Sequence, residues 1–252
     1  YDLFRGKLLD LLQIIFVNFK FLPNLITLLN LFLGCIVVLL LVENNLEVKY
    51  VFIISAICLV LDYLDGFIAR KLNVKSDIGL QLDSLADLVS FGLVPGILLY
   101  NMFNSASSSS VGSISSSFIP FTGFLITLCS SYRLARFNIR KISSKYFLGL
   151  ATPANTVLIY SLSIISFDDG RFSEILLDYN TLFLITAFSS VLLVSNLKLM
   201  NFKFESLKLK ENITRFFLFF ISIPALVVWG FYAVPIIISV YILISIITLY
   251  QT

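Results

Sequence analysis

The chain has 252 residues, of which 58% are apolar and 13% are charged. Its apolar residues form repeated runs of about 18 to 22, which exceed what the core of a soluble protein of this size needs. This composition excludes a soluble enzyme, and a net charge of +3 argues against a nucleic-acid-binding protein. We therefore interpret the chain as an all-α polytopic membrane protein.

The apolar runs predict one membrane-embedded domain, residues 1–252, with about eight transmembrane helices. Residues 1–22 mix charged and apolar positions and predict an interfacial amphipathic helix. A catalytic core of six helices is expected over residues 24–196 and two additional spans over residues 214–251. In chain order, the expected spans are 24–42, 48–70, 80–101, 117–137, 149–167, 179–196, 214–231 and 233–251.

The basic residues predict the orientation of these spans. If the N-terminus is cytoplasmic, all of the 18 basic residues except Lys49 and Arg171 fall on the cytoplasmic side. Basic residues are enriched in cytoplasmic loops of membrane proteins. The distribution therefore favours eight spans with both termini in the cytoplasm.

Four aspartates lie within the second and third predicted spans, in the stretch DYLDGFIARKLNVKSDIGLQLDSLAD at 62–87. Asp62 and Asp65 are three residues apart, while Gly79, Asp83 and Asp87 are spaced by four, so each set lies near one face of its helix. The short connection between the two spans makes them antiparallel. We expect the two carboxylate faces to oppose each other near the cytoplasmic surface.

Carboxylates inside a membrane are costly, and four of them would also repel one another. The chain has no histidine, and its three cysteines show no metal-binding spacing. An all-oxygen site of this kind suits Mg²⁺ or Mn²⁺, and four ligands are enough for two ions. The alternatives are ion pairs with Arg70, Lys71 and Lys75 for the aspartates, and close helix packing for the nearby small residues.

The pattern Asp62-x-x-Asp65-Gly66-x-x-Ala69-Arg70, followed after eight residues by Gly79-x-x-x-Asp83-x-x-x-Asp87, resembles the signature of the CDP-alcohol phosphatidyltransferase family. The resemblance implies a membrane enzyme that displaces CMP from a CDP-linked lipid or alcohol. It implies metal ligation by Asp62, Asp65, Asp83 and Asp87, with Asp87 also the general base. The residues implied to surround the nucleotide are Gly66, Ala69, Arg70 and Gly79.

Asn24 and Thr27, on one face of the first span, are further candidates for nucleotide contact, with hydrogen bonding between helices as the alternative. The stretches SYRLARFNIRK at 131–141 and FLGLATPANT at 147–156 are similar to the membrane-type phosphatidylserine synthases of bacteria and archaea. That similarity implies transfer of a phosphatidyl group from CDP-diacylglycerol to L-serine in a prokaryotic cytoplasmic membrane. It also implies a homodimer.

A zwitterionic acceptor needs a cation for its carboxylate, and the guanidinium groups of Arg133 and Arg136 suit either a carboxylate or a phosphate. The alternative for both arginines is a role as cytoplasmic topology signals. Ser90 and Asn138 are further candidates for acceptor contact. The alternatives for function are the same chemistry with glycerol 3-phosphate or an inositol phosphate, and a divalent-cation transporter.

Overall fold

The computed structural model describes residues 21–43, 47–74, 76–106, 118–139, 146–168, 170–200 and 209–250. The expected interfacial helix at 1–22 falls almost wholly outside these residues. Ten α-helices occupy most of the described chain: α1 Leu22–Glu43, α2 Val48–Lys71, α3 Asp77–Asp87, α4 Val94–Ser105, α5 Leu125–Ile139, α6 Thr152–Ser166, α7 Arg171–Leu176, α8 Tyr179–Val194, α9 Leu209–Trp229 and α10 Ala233–Tyr250.

The helical membrane architecture is confirmed at the level of the fold. Within the described ranges, four helical runs are long and apolar enough to cross a membrane: Leu22–Glu43, Val48–Lys71, Asp77–Ser105 and Phe216–Thr248. The last run contains Gly230 with φ of 54°, where α9 ends and the chain turns into α10. Helices lie in all eight predicted intervals, but α5 and α6 have only 15 residues each. Eight membrane crossings therefore stay a prediction.

The third predicted span is not one regular helix. Between α3 and α4, residues Leu88–Leu93 form a π-helical segment. Pro95 in the first turn of α4 has no N–H to offer the carbonyl of Phe91. Thr156 Oγ1 of α6 donates to that oxygen at 2.8 Å, and Thr127 Oγ1 of α5 donates to the Gly92 oxygen at 2.9 Å. These contacts fix α5 and α6 against the π-helical segment.

The core lies where α1, α4, α6 and α8 meet, and it includes Val37, Leu98, Phe103, Ile159 and Leu193, each at most 1% exposed. Because lipid tails are as apolar as these side chains, their contribution to the fold comes from van der Waals packing between the helices. Two polar groups within this region lie together, since the hydroxyls of Ser55 and Tyr160 are 2.6 Å apart.

A short antiparallel strand pair, which the sequence did not predict, joins two connections of the bundle. Strand β1, Tyr146–Leu148, pairs with β2, Lys198–Met200. Gly149 follows β1 with φ of 70°, and an added Cβ there would stand 2.7 Å from the carbonyl oxygens of Leu192 and Leu193. Only glycine allows this close approach, which sets the start of α6 against the end of α8.

The C-terminal helices α9 and α10 form a hairpin, and residues from both line one small cavity of about 90 Å³. Helix α10 contacts β2 and α6. Its Tyr241 hydroxyl donates to the Met200 oxygen at 2.9 Å, and its Ser245 hydroxyl accepts from the Met200 N–H at 3.2 Å. The hairpin is thus attached to the strand pair as well as to the apolar core.

Candidate active site

The carboxylate cluster lies where α2 and α3 face each other, as the spacing of the aspartates predicted. One oxygen from each of Asp62, Asp83 and Asp87 can be chosen so that all three lie within 4.8 Å of one another. Asp87 Oδ1 is buried and has no hydrogen-bond partner among the described residues. Three converging carboxylates with an unpartnered oxygen fit the ligand set of a hard divalent cation.

Asp65 occupies a different position from the other three aspartates. It is 5% exposed, and its Oδ2 accepts a hydrogen bond of 2.5 Å from Thr27 Oγ1 of α1. Its charge still interacts with those of Asp62 and Asp83. Asp65 therefore contributes negative charge to the cluster while α1 fixes the orientation of its carboxylate.

Of the cations near the connection between α2 and α3, the two that the structure describes, Arg70 and Lys71, compensate this cluster only in part. The Arg70 guanidinium lies over Gly66, with Nη1 3.2 Å from where a Cβ would stand, and it attracts Asp65. The Lys71 ammonium lies 6.0 Å from the centre of the Phe67 ring. Lys75 lies outside the described residues. Arg70 thus stands near one edge of the cluster.

A cavity of about 600 Å³ opens beside the carboxylates. Asp65 and Asp83 line it, and so do all the residues that the sequence proposed for the nucleotide: Asn24, Thr27, Gly66, Ala69, Arg70 and Gly79. Helix α3 begins here with Ser76 as its N-cap, whose hydroxyl accepts from the Gly79 N–H at 3.0 Å. An added Cβ on Gly79 would stand 2.9 Å from Asn24 Oδ1, so glycine lets α1 approach the start of α3.

Of the four residues proposed for the acceptor, three have partners within the protein. The Arg136 guanidinium donates to the Val194 oxygen at 2.9 Å and to Asn196 Oδ1 at 2.6 Å. Asn138 Nδ2 donates to Ser84 Oγ at 2.9 Å. Ser90 is 2% exposed and donates to Asn30 Oδ1 at 3.1 Å. These contacts join helices to one another.

Arg133 differs from those three residues. Its charge interacts with that of Asp87, and its buried Nε has no hydrogen-bond partner in the described part of the chain. The guanidinium therefore lies within electrostatic range of Asp87 and has a donor still available. Spacing along α5 did not separate Arg133 from Arg136, because the partners of Arg136 come from a distant part of the sequence.

The fold and site together define a class of protein: a helical membrane protein with a carboxylate cluster beside a cavity that two glycines and an arginine help to line. Residues 20–192 match the CDP-alcohol phosphatidyltransferase family. The chain belongs to that family, which confirms the resemblance seen in its aspartate motif.

Curated relatives give the same assignment. The chain is 35% identical over 188 residues to a CDP-diacylglycerol–serine O-phosphatidyltransferase of Bacillus subtilis, covering 73% of this chain and 92% of the relative. A protein of the same name from Helicobacter pylori is 30% identical over 232 residues, or 89% of each chain. An archaetidylserine synthase of Methanothermobacter thermautotrophicus is 33% identical over 153 residues, or 60% of each.

Proposed function

We propose that this protein transfers the phosphatidyl group of CDP-diacylglycerol to the hydroxyl of L-serine, giving phosphatidylserine and CMP. The observation that carries the proposal is the convergence of Asp62, Asp83 and Asp87 beside a cavity, in a family of CDP-alcohol phosphatidyltransferases. The names of the relatives support serine as the acceptor.

In this mechanism, the cavity binds the CDP part of the lipid. Asn24, Thr27 and Arg70 offer polar contacts to the nucleotide and its phosphates, while Gly66, Ala69 and Gly79 leave room for them. An arginine suits phosphate because its planar guanidinium can donate two parallel hydrogen bonds. These residues orient the diphosphate relative to the carboxylates.

Asp62, Asp65, Asp83 and Asp87 would hold the divalent cations, Mg²⁺ or Mn²⁺ and two in number. When bound, such ions neutralise charge that develops on the phosphates. Asp87 takes the proton of the serine hydroxyl as general base. The serine oxygen forms a bond to the lipid-side phosphorus, the bond from that phosphorus to the CMP oxygen breaks, and CMP leaves.

Arg133 is the proposed partner of the serine carboxylate. Its charge interacts with that of Asp87, so we expect one substrate to present its carboxylate to the guanidinium and its hydroxyl to the base. Arg136, Ser90 and Asn138 support the site by holding its helices together. If these three residues also contact the acceptor, they do so while keeping their hydrogen bonds between helices.

The remaining parts of the proposal concern the whole molecule. We propose eight membrane spans with both termini in the cytoplasm of a prokaryote, which places the cavity at the cytoplasmic surface, where CMP and serine are soluble. We also propose a homodimer. Membrane lipids surround the exposed apolar faces, which include Phe32, Leu39 and Val60.

A direct assay tests the proposed function. Purified full-length protein receives CDP-diacylglycerol, Mn²⁺ or Mg²⁺, and L-serine, glycerol 3-phosphate or an inositol phosphate in turn, and CMP release is measured. We expect CMP and phosphatidylserine with serine alone. Release with a phosphorylated alcohol in place of serine would contradict the proposed acceptor, and no release with any acceptor would contradict the reaction.

A further inference from the structure

The first turn of α6 carries two buried polar side chains without hydrogen-bond partners. Asn155 is 0% exposed and Thr152 is 1% exposed. Within the described ranges, neither amide atom of Asn155 nor the Thr152 hydroxyl has a partner. Nearly all buried polar groups in proteins are hydrogen bonded. Two such side chains on one turn of helix are therefore available to bind a ligand.

The contacts of α6 place this turn at the level of Asp87. Thr156 contacts the oxygen of Phe91, while residues 163–167 and 98–105 line a common cavity further along. Helix α6 therefore runs parallel to α3 and α4. Thr152, one turn before Thr156, therefore stands at the level of Asp87, four residues before Phe91, and Asn155, one residue before Thr156, stands near the level of Ser90.

Helix α5 runs in the opposite direction and also reaches the level of Asp87. An added Cβ on Gly96 would meet Phe124 and Thr127, and one on Gly92 would stand 3.1 Å from the Cβ of Ser130. The helix is thus antiparallel to α4, and Arg133 stands about one turn beyond Ser130, towards Asp87. Asp87, Arg133 and Thr152 accordingly lie at about the same level along the bundle, and Asn155 lies within one turn of that level.

We propose that Asn155 and Thr152 bind the acceptor, and that their side-chain oxygens recognise the ammonium group of an amino acid. This inference rests on the proposed function, in which Arg133 binds the carboxylate and Asp87 receives the hydroxyl proton. An ammonium group has three N–H donors and needs acceptor oxygens. Asn155 Oδ1 and Thr152 Oγ1 are uncharged acceptors on one turn, within about one turn of the levels of Asp87 and Arg133 along the bundle.

Substitution of Asn155 separates acceptor binding from folding. We expect Asn155→Ala to raise KM for serine by about tenfold or more, the equivalent of about 1.4 kcal/mol, while KM for CDP-diacylglycerol changes less than about twofold. The matched control is Ser163→Ala. Ser163 lies on the same helix, is 0% exposed and has no partner among the described residues, but it lines the other cavity. Its substitution should leave both KM values unchanged.

Competition with 3-hydroxypropionate tests which group of serine is recognised. This compound keeps the hydroxyl and carboxylate of serine but lacks the ammonium. A site built to bind a polar group rejects the analogue without it, because its own polar atoms are then left unpaired. The wild type should therefore prefer serine strongly, and Asn155→Ala should narrow that preference by about tenfold. Thr152→Val should narrow it in the same direction.

Several outcomes would overturn this inference. Asn155→Ala with lower thermal stability and kcat, but unchanged serine KM and unchanged preference over 3-hydroxypropionate, would assign Asn155 a structural role only. If Asn155→Ala does not fold, the variants Asn155→Ser and Thr152→Val are measured instead. A preference for serine over 3-hydroxypropionate equal to that of the wild type in both variants would likewise show a structural role only. Failure of the wild type to release CMP with serine would instead contradict the proposed function, so the two failures are distinguishable.

Discussion

Two cavities of similar volume lie at opposite ends of the helical bundle. The one beside the carboxylates measures about 600 Å³, and the other, between the end of α1, the start of α2 and the ends of α4 and α6, measures about 690 Å³. Asp65, Asp83 and Arg70 line the first, and Glu47, Lys49 and Asn101 line the second. Volume and the presence of charge do not distinguish them.

The arrangement of like charges does distinguish the two cavities. At the first, three carboxylates converge within 4.8 Å, although mutual repulsion opposes this arrangement. At the second, the polar groups are mixed in sign, and Asn101 Nδ2 donates to the Leu41 oxygen at 3.0 Å. An arrangement that is unfavourable for the protein alone indicates the functional end of the bundle.

The largest expected effect is that of Asp87→Asn at the carboxylate end. This change keeps the shape of the side chain but removes the proposed base, which typically contributes 10²–10⁴-fold to a rate. We expect CMP release to fall by about 10³-fold or more, with binding of a CDP-lipid retained. The control is Glu174→Gln, on the exposed surface of α7. Loss of CDP-lipid binding would show that Asp87 mainly assembles the metal site.

A smaller effect is expected from Gly79→Ala at the same cavity. Its Cβ would stand 2.9 Å from Asn24 Oδ1 and 3.0 Å from Ser76 Oγ, so Asn24 must move from the start of α3. We expect KM for CDP-diacylglycerol to rise about tenfold, or about 1.4 kcal/mol, with thermal stability nearly unchanged. Gly170→Ala is the control, because its Cβ would meet its nearest atom at 3.8 Å. Equal KM values for CDP-diacylglycerol in the two variants would show that Asn24 does not bind the nucleotide.

Arg136→Ala should act on stability more than on the reaction. The substitution removes the hydrogen bonds to Val194 and Asn196, and bonds from charged groups are each worth about 1.5–3 kcal/mol. We expect a lower melting temperature in detergent and a serine KM close to that of the wild type. Arg133→Ala is the comparison and should raise serine KM. If Arg136→Ala raised serine KM and Arg133→Ala lowered only the melting temperature, Arg136 would be the residue that binds serine and Arg133 the structural one.

The smallest effect is expected at the second cavity. Asn101→Ala removes one hydrogen bond to the end of α1, which is worth about 1 kcal/mol of stability. CMP release should remain within about twofold of the wild type, because the described residues at this end include no converging carboxylates. A loss of activity comparable with that of Gly79→Ala would show that the two ends of the bundle are coupled.

The parts of the site that the sequence predicted correctly depend on local spacing. Residues four apart share a helix face, so Gly79, Asp83 and Asp87 could be placed together, and the short connection to α2 brought Asp62 opposite them. The features that the sequence did not predict depend on distant contacts. Nothing near Arg136 in the sequence indicates Val194 or Asn196 as its partners, and the pairing of β1 with β2 joins segments 50 residues apart.

The polar first turn of α6 is a second feature that the sequence alone did not identify. The stretch ATPANT at 151–156 contributed to the family resemblance, but Thr152 and Asn155 carried no assigned role. Their significance depends on burial without partners, which periodicity does not reveal. A threonine and an asparagine near a helix start are also typical of ordinary capping.

The π-helical segment Leu88–Leu93 divides one long helix into two halves with independent registers. Each residue of an α-helix turns the chain by about 100°, so one extra residue per turn rotates α4 by a similar angle relative to α3. The aspartate half can follow a spacing of four toward the cavity, while the second half buries Val94, Ile97 and Leu98 on a face of its own. We expect deletion of one residue here to restore a continuous helix and to misalign one half with its neighbours. The number of residues in this segment therefore determines whether both halves can pack correctly at once.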